Sequence, residues 1–120
     1  LRHDFKSMGA VLREEFAPGD HLHTCVDFPD VPIGYYSGIA PESIITDADF
    51  ANQESGDEDF ALRAVEEAQH GKRAWVWMFD VPNVWEHEKI EAHMTAGGVR
   101  FAKWEFHGRW RTFLYRLDPV

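Results

Sequence analysis

The stretch "KRAWVWMFD" (72–80) decides how the rest of the chain is read. Its residues 74–79 are apolar without a break, so neither face of an extended segment can look at water. Such a pattern belongs to a central strand covered by helices on both sides. The neighbouring segments are therefore read as elements that flank or cover it.

On the N-terminal side, "DFKSMGAVLREEF" (4–16) places Phe5, Met8, Gly9, Leu12 and Phe16 on one helical face, with Arg13, Glu14 and Glu15 opposite. Asp4 suits its N-cap, and "APGD" stops the helix and turns the chain. "HLHTCV" (21–26) then reads as a short strand, "IGYYSGI" (33–39) as a short helix ended near Gly38, and "ESIITD" (42–47) as a β-branched strand. After a polar loop, Ser55 and Glu58 fit a capping box ahead of a helix with the apolar stripe Ala61, Ala64, Val65 and Ala68, ended by Gly71.

Beyond the central strand, "VPNVWEHEKIEAHMTAGG" (81–98) reads as loop, helix and glycine stop. "VRFAKWEFHGRWRTFLYRL" (99–117) reads as two strands about a two-residue His107-Gly108 turn. That register sets Trp104 opposite Arg111 as a stacking pair. The order α-β-α-β-α-β-α-β-β predicts one α/β domain over 1–120. The expected architecture is a three-layer Rossmann-like sandwich whose mostly parallel sheet ends in an antiparallel hairpin.

Composition narrows the function. The chain has 120 residues, 21 acidic against 12 basic, a net charge of −9, and 44% apolar residues. That apolar content suffices for a core. With no basic run, nucleic acid is not an expected partner, because a phosphate backbone is bound mainly through Lys and Arg. One cysteine excludes an intrachain disulfide and Cys-rich zinc modules. No apolar stretch approaches the roughly 20 residues of a membrane span. The opening "LRHDFKSMGAVL" lacks an initiator Met and starts inside a helical pattern, which predicts a segment excised from a longer protein.

Three constellations could carry chemistry. His21 and His23 lie on one face of the first strand, where a His-x-His pair can chelate Zn²⁺, with Cys25, Asp20 or Asp27 as a third ligand. The structural alternative is an imidazole near solvent and another satisfied under a helix, and a two-residue spacing alone favours it. "WEHEKIEAH" (85–93) approaches H-E-x-x-H, but Glu91 stands where the second His belongs. His87 and Glu91 remain an i, i+4 pair, set against a solvated face with Ile90 and Met94 turned inward. Asp27, Asp47 and Asp80 close three strands expected to be parallel, and carboxylates meeting at that edge could hold Mg²⁺. Aspartate also turns chains out of strands and caps helices, which is the simpler account. Cys25 is rejected as a nucleophile, since neighbours on one strand rarely reach the geometry a base needs. Phosphate-cradling, nucleophile-elbow and C-x-x-C motifs are absent, so the chain is not expected to be catalytic alone.

Taken in order, "PGD" leading into a strand, Pro32 with Tyr35 and Tyr36 in a P-x-x-Y-Y helix, "KRAWVWMFD" and the terminal "FLYRL" resemble another domain. It is the extracytoplasmic domain that follows the membrane helices of GT-C type glycosyltransferases, relatives of the protein mannosyltransferases. His21, His23 and the acidic loop 48–57 depart from that pattern. The resemblance implies a parent transferring sugar from a polyprenyl-phosphate donor, with its catalytic carboxylate outside these residues and no cofactor here. This domain would assist acceptor binding or assembly beside the membrane-embedded remainder of the chain. Its contact surface for a glycan or lipid-linked acceptor would comprise Asp27, Tyr35, Tyr36, Asp80, Asn83 and Trp85. Two other classes compete: a free-standing protein binding Mg²⁺ or Zn²⁺, and an interaction module whose aromatic last strand pairs through an exposed edge.

Overall fold

A computed structural model describes residues 4–25, 30–46, 58–108 and 111–120. In chain order the elements are α1 (Phe5–Glu15), β1 (His21–Thr24), α2 (Asp30–Ser37), a 3₁₀ turn (Pro41–Ser43), β2 (Ile44–Thr46) and α3 (Asp59–Gln69). Then come β3 (Ala74–Phe79), α4 (His87–Ala96), β4 (Phe101–Phe106) and β5 (Thr112–Leu117). The strands form one α/β sheet in the order β2-β1-β3-β5-β4. β2, β1 and β3 are parallel neighbours, and β5 runs antiparallel to both β3 and β4.

All six residues of β3 are buried, as its apolar run requires. Alternation puts Trp75 and Trp77 on one face, where the rings of Phe16 and Phe5 approach them at 6.0 and 5.9 Å. Both indoles are fully buried, and truncating either to Ala would cost about 3–5 kcal/mol. The other face carries Ala74, Val76 and Met78, and α3 lies against β1, β3 and α4. On α3 the buried stripe includes Ala61, Ala64 and Ala68, whose small side chains let the helix come close to the sheet.

Local grammar accounts for the ends of the elements. Asp4 caps α1 by accepting a hydrogen bond from Ser7 N at 3.0 Å. The chain then leaves through Ala17-Pro18-Gly19-Asp20, where Gly19 takes a φ of +89° that L side chains rarely adopt. At α3 the expected capping box does not match: Glu58 occupies the N-cap, and its carboxylate meets His93 Nε2 at 2.8 Å instead of the backbone. Ser55 lies outside the described residues.

The C-terminal hairpin is longer than a two-residue turn allows. Phe106 pairs with Thr112, so residues 107–111 connect the strands, and Trp104 faces Leu114, not Arg111. Burial sets this register. It puts Phe113 and Tyr115 on the α4 face and stacks Trp104 on Trp75 at 5.9 Å. The cation over Trp104 is Arg116, at 6.0 Å, while Arg111 bonds Glu105 and lies over Phe113. β5 is also an interior strand; β2 and β4 are the edges, and β4 carries exposed Lys103 and Glu105. Such charges blunt an edge against further pairing.

Candidate functional site

The two imidazoles of β1 meet a carboxylate that no local spacing announces. Alternation turns His21 and His23 toward α3 and Leu22 the other way. Glu67 stands three residues after buried Ala64, at the border of the helix's apolar stripe, and so projects beside the sheet. Its Oε2 lies 2.7 Å from His21 Nδ1 and its Oε1 2.5 Å from His23 Nε2. The side chain of His23 is 3% exposed, that of His21 32% and that of Glu67 21%.

Lys72, just past the turn that ends α3, brings its Nζ to 3.1 Å from His21 Nδ1 and 3.3 Å from Glu67 Oε2. Burial pushes the Glu67 carboxyl up, but hydrogen bonds from His23 and His21 outweigh it and hold the group below its ordinary 4.5. A cavity of about 460 Å³ opens over the cluster, with Ile45, Arg63, Glu66 and His70 completing its wall. The three donors of His21, His23 and Glu67 all lie within 4.8 Å of one another, a spacing compatible with a metal ion.

Among the described residues, neither Cys25 nor Asp20 takes the place of the third ligand. Cys25 is fully buried at the far end of β1, and burial pushes its thiol up to about 12. Asp20 is 6% exposed and serves another purpose. Its Oδ2 accepts from Ala17 N at 3.0 Å, Arg73 Nε at 3.0 Å and Trp75 Nε1 at 2.9 Å. Arg73 continues to the Glu15 carbonyl at 2.6 Å, and Arg116 of β5 reaches the Glu15 carboxylate at 2.6 Å. Asp27 lies outside the described residues.

The proposed carboxylate edge divides in the same way. Asp47, like Asp27, lies outside the described residues. Asp80 accepts from His87 N through Oδ1 and meets His87 Nδ1 through Oδ2, both at 2.7 Å. That arrangement serves the start of α4, whose own N-cap residue Glu86 makes no side-chain cap. His87 is therefore buried and stacked on Phe113 at 4.2 Å rather than placed on a solvated face. Glu91 accepts instead from Tyr115 OH and from Lys103 Nζ, each at 2.7 Å, so His87 and Glu91 serve separate contacts. Ile90 and Met94 do turn to the core.

Of the expected contact residues, Tyr35 is 78% exposed and stands edge-to-face with Tyr36 at 5.0 Å. Asn83 holds a φ of +64° in the turn closed by the Val81–Trp85 bridge. Trp85 is 3% exposed and packs on Phe79 at 5.9 Å, so its ring contributes to the core.

Compared with known families, characterised proteins and solved structures, the chain matches none. Among the described residues no helix is long and apolar enough to cross a membrane.

Proposed function

We propose that this chain is the non-catalytic extracytoplasmic domain of a multi-pass, polyprenyl-phosphate-sugar-dependent membrane glycosyltransferase, assisting acceptor binding or assembly. One observation supports this reading above the rest. Three of the four short motifs that carry the resemblance meet in space: "PGD" and "KRAWVWMFD" through Asp20, Arg73 and Trp75, with the arginine of "FLYRL" joining them through Glu15. Motifs that recur in a fixed order for a structural reason have to touch, and these do, across more than 50 residues of sequence. Their polar groups are engaged in holding α1, β3 and β5 together, which suits a framework rather than a catalytic role.

The finer architecture belongs to the same reading: a three-layer Rossmann-like sandwich, with α1 and α2 over the Trp75 face and α3 and α4 over the Val76 face. The acceptor surface would include the exposed Tyr35 ring, whose face suits the C–H groups of a sugar. The membrane-embedded remainder of the same chain would be the lasting partner. Sequencing the reading frame upstream of Leu1 tests the proposal. Several apolar stretches of about 20 residues each are expected there. A frame opening within a few codons of Leu1 would overturn it.

A further inference from the structure

We propose that His21, His23 and Glu67 form a binding site for Zn²⁺, with a fourth position open to water or to an anionic oxygen ligand entering from the cavity. This inference is independent of the glycosyltransferase reading. Two imidazoles and one carboxylate are a donor set that selects zinc and its first-row neighbours over Mg²⁺ or Ca²⁺, which prefer oxygen alone. The donors come from elements held apart from solvent motion. β1 is hydrogen-bonded on both sides, by β2 and β3, and α3 is fixed by its buried alanine stripe.

The distances are close to those a tetrahedral ion needs. Metal bonds of about 2.0–2.2 Å separate neighbouring donors by roughly 3.2–3.6 Å. Glu67 now stands 2.7 Å from His21 Nδ1 through Oε2 and 2.5 Å from His23 Nε2 through Oε1, and one donor atom from each residue lies within 4.8 Å of the others, so the side chains would shift by about 1 Å to hold one ion. The half-exposed rim residue His21 and the helix side chain Glu67 have the freedom to do so, while His23 is locked in the core.

Lys72 adds an independent pointer. His21 Nδ1 lies within hydrogen-bond distance of both the Lys72 ammonium and the Glu67 carboxylate. An ammonium only donates and a carboxylate only accepts, so one ring nitrogen cannot serve both in a single tautomer. A cation lying between the lone pair and the carboxylate satisfies both at once, and Lys72 Nζ already marks where positive charge is favoured. The Lys72 side chain is 40% exposed and can turn to solvent when an ion replaces it. The cavity above the cluster then leaves space for the fourth ligand.

Titration of the metal-stripped chain with Zn²⁺ by calorimetry, and with Co²⁺ by visible absorption, tests the site. One Zn²⁺ per chain is expected, together with the intense visible bands of tetrahedral Co²⁺. His23→Gln and Glu67→Gln should each weaken Zn²⁺ binding by at least about tenfold and abolish the Co²⁺ bands. Lys72→Met, which removes the competing ammonium from an exposed position and is expected to leave the fold intact, should tighten binding several-fold. Absence of stoichiometric binding would overturn the proposal. So would Zn²⁺ affinity unchanged in Glu67→Gln and Lys72→Met, which would assign the ion to other histidines.

Discussion

Trp75 Nε1 donates to Asp20 Oδ2 at 2.9 Å, tying the turn after α1 to the start of the central strand. A buried indole N–H needs an acceptor, and Asp20 supplies it while Arg73 balances the charge at 3.0 Å. The guanidinium also lies 5.8 Å from the Trp75 ring, so its cationic and planar character are both used. The first helix is thereby attached to the sheet by polar groups as well as by Phe5 and Phe16.

Removing that carboxylate strands its donors. Asp20→Ala leaves Arg73 without its counter-charge and the Trp75 and Ala17 N–H groups without an acceptor, which should cost about 3–5 kcal/mol. Asp20→Asn keeps an acceptor oxygen and should cost clearly less. Urea unfolding followed by tryptophan fluorescence distinguishes the two. Equal losses would show that charge, and not acceptor geometry, holds the turn.

Gly9 should resist the substitution that usually strengthens a helix. In an exposed helix interior Gly→Ala gains about 1 kcal/mol. Here a Cβ on Gly9 would sit 2.5 Å from Tyr36 Cβ and 2.8 Å from its carbonyl carbon, where α1 crosses α2. Backbone cannot give way as a flexible side chain can, so Gly9→Ala should destabilise by about 1–3 kcal/mol. A thermal midpoint raised by the substitution would show that α2 yields freely.

Cys25 should be silent in the folded chain. Burial removes it from solvent and pushes its thiol up to about 12, so thiolate is scarce at neutral pH. Labelling with a thiol-reactive disulfide at pH 8 should be slow in buffer and fast in strong urea. Rapid labelling without denaturant would show local opening at the end of β1.

Acid should loosen the contact between α4 and the hairpin. Burial raises the Glu91 carboxyl, but hydrogen bonds from Lys103 and Tyr115 outweigh it and hold the group below its ordinary 4.5. Because the folded value is depressed, the stabilisation is complete above the unfolded value and is lost as pH falls through the folded one. Glu91→Gln should therefore flatten the decline in stability below about pH 4.5 while lowering stability at pH 7. An acid limb of unchanged slope would assign the decline to other carboxylates. Tyr115 gains from the same contact: burial and the Glu91 carboxylate raise its phenol well above the ordinary 10.0, so it stays a donor in alkaline solution.

Much of the fold was legible from short-range pattern. The unbroken apolar run of β3, the period of Phe5, Met8 and Leu12, and the Gly71 stop each report a local burial requirement, and each lies where its pattern put it. The hairpin misled because His107-Gly108 looks like a turn locally, whereas register is set by where Trp104, Phe113 and Tyr115 can bury. The candidate site was half legible. His21 and His23 show their shared face through two-residue spacing, but Glu67 lies 44 residues from His23.

Residue order alone was enough for the kind of elements, their sequence and the α/β class, since helix and strand periods and turn residues act within a few positions. Its charge balance, 12 basic against 21 acidic residues, is likewise legible without folding, because charge composition is additive. Which side chains meet was settled by packing. α3 lands on β1 because its alanine stripe must be buried, and that rotation delivers Glu67 to two imidazoles. Asp20, read from its spacing as a possible metal ligand, became the acceptor for Arg73 and Trp75 because β3 lies beside β1. Such meetings depend on the loss of water from several surfaces at once, a quantity that no single stretch of sequence contains.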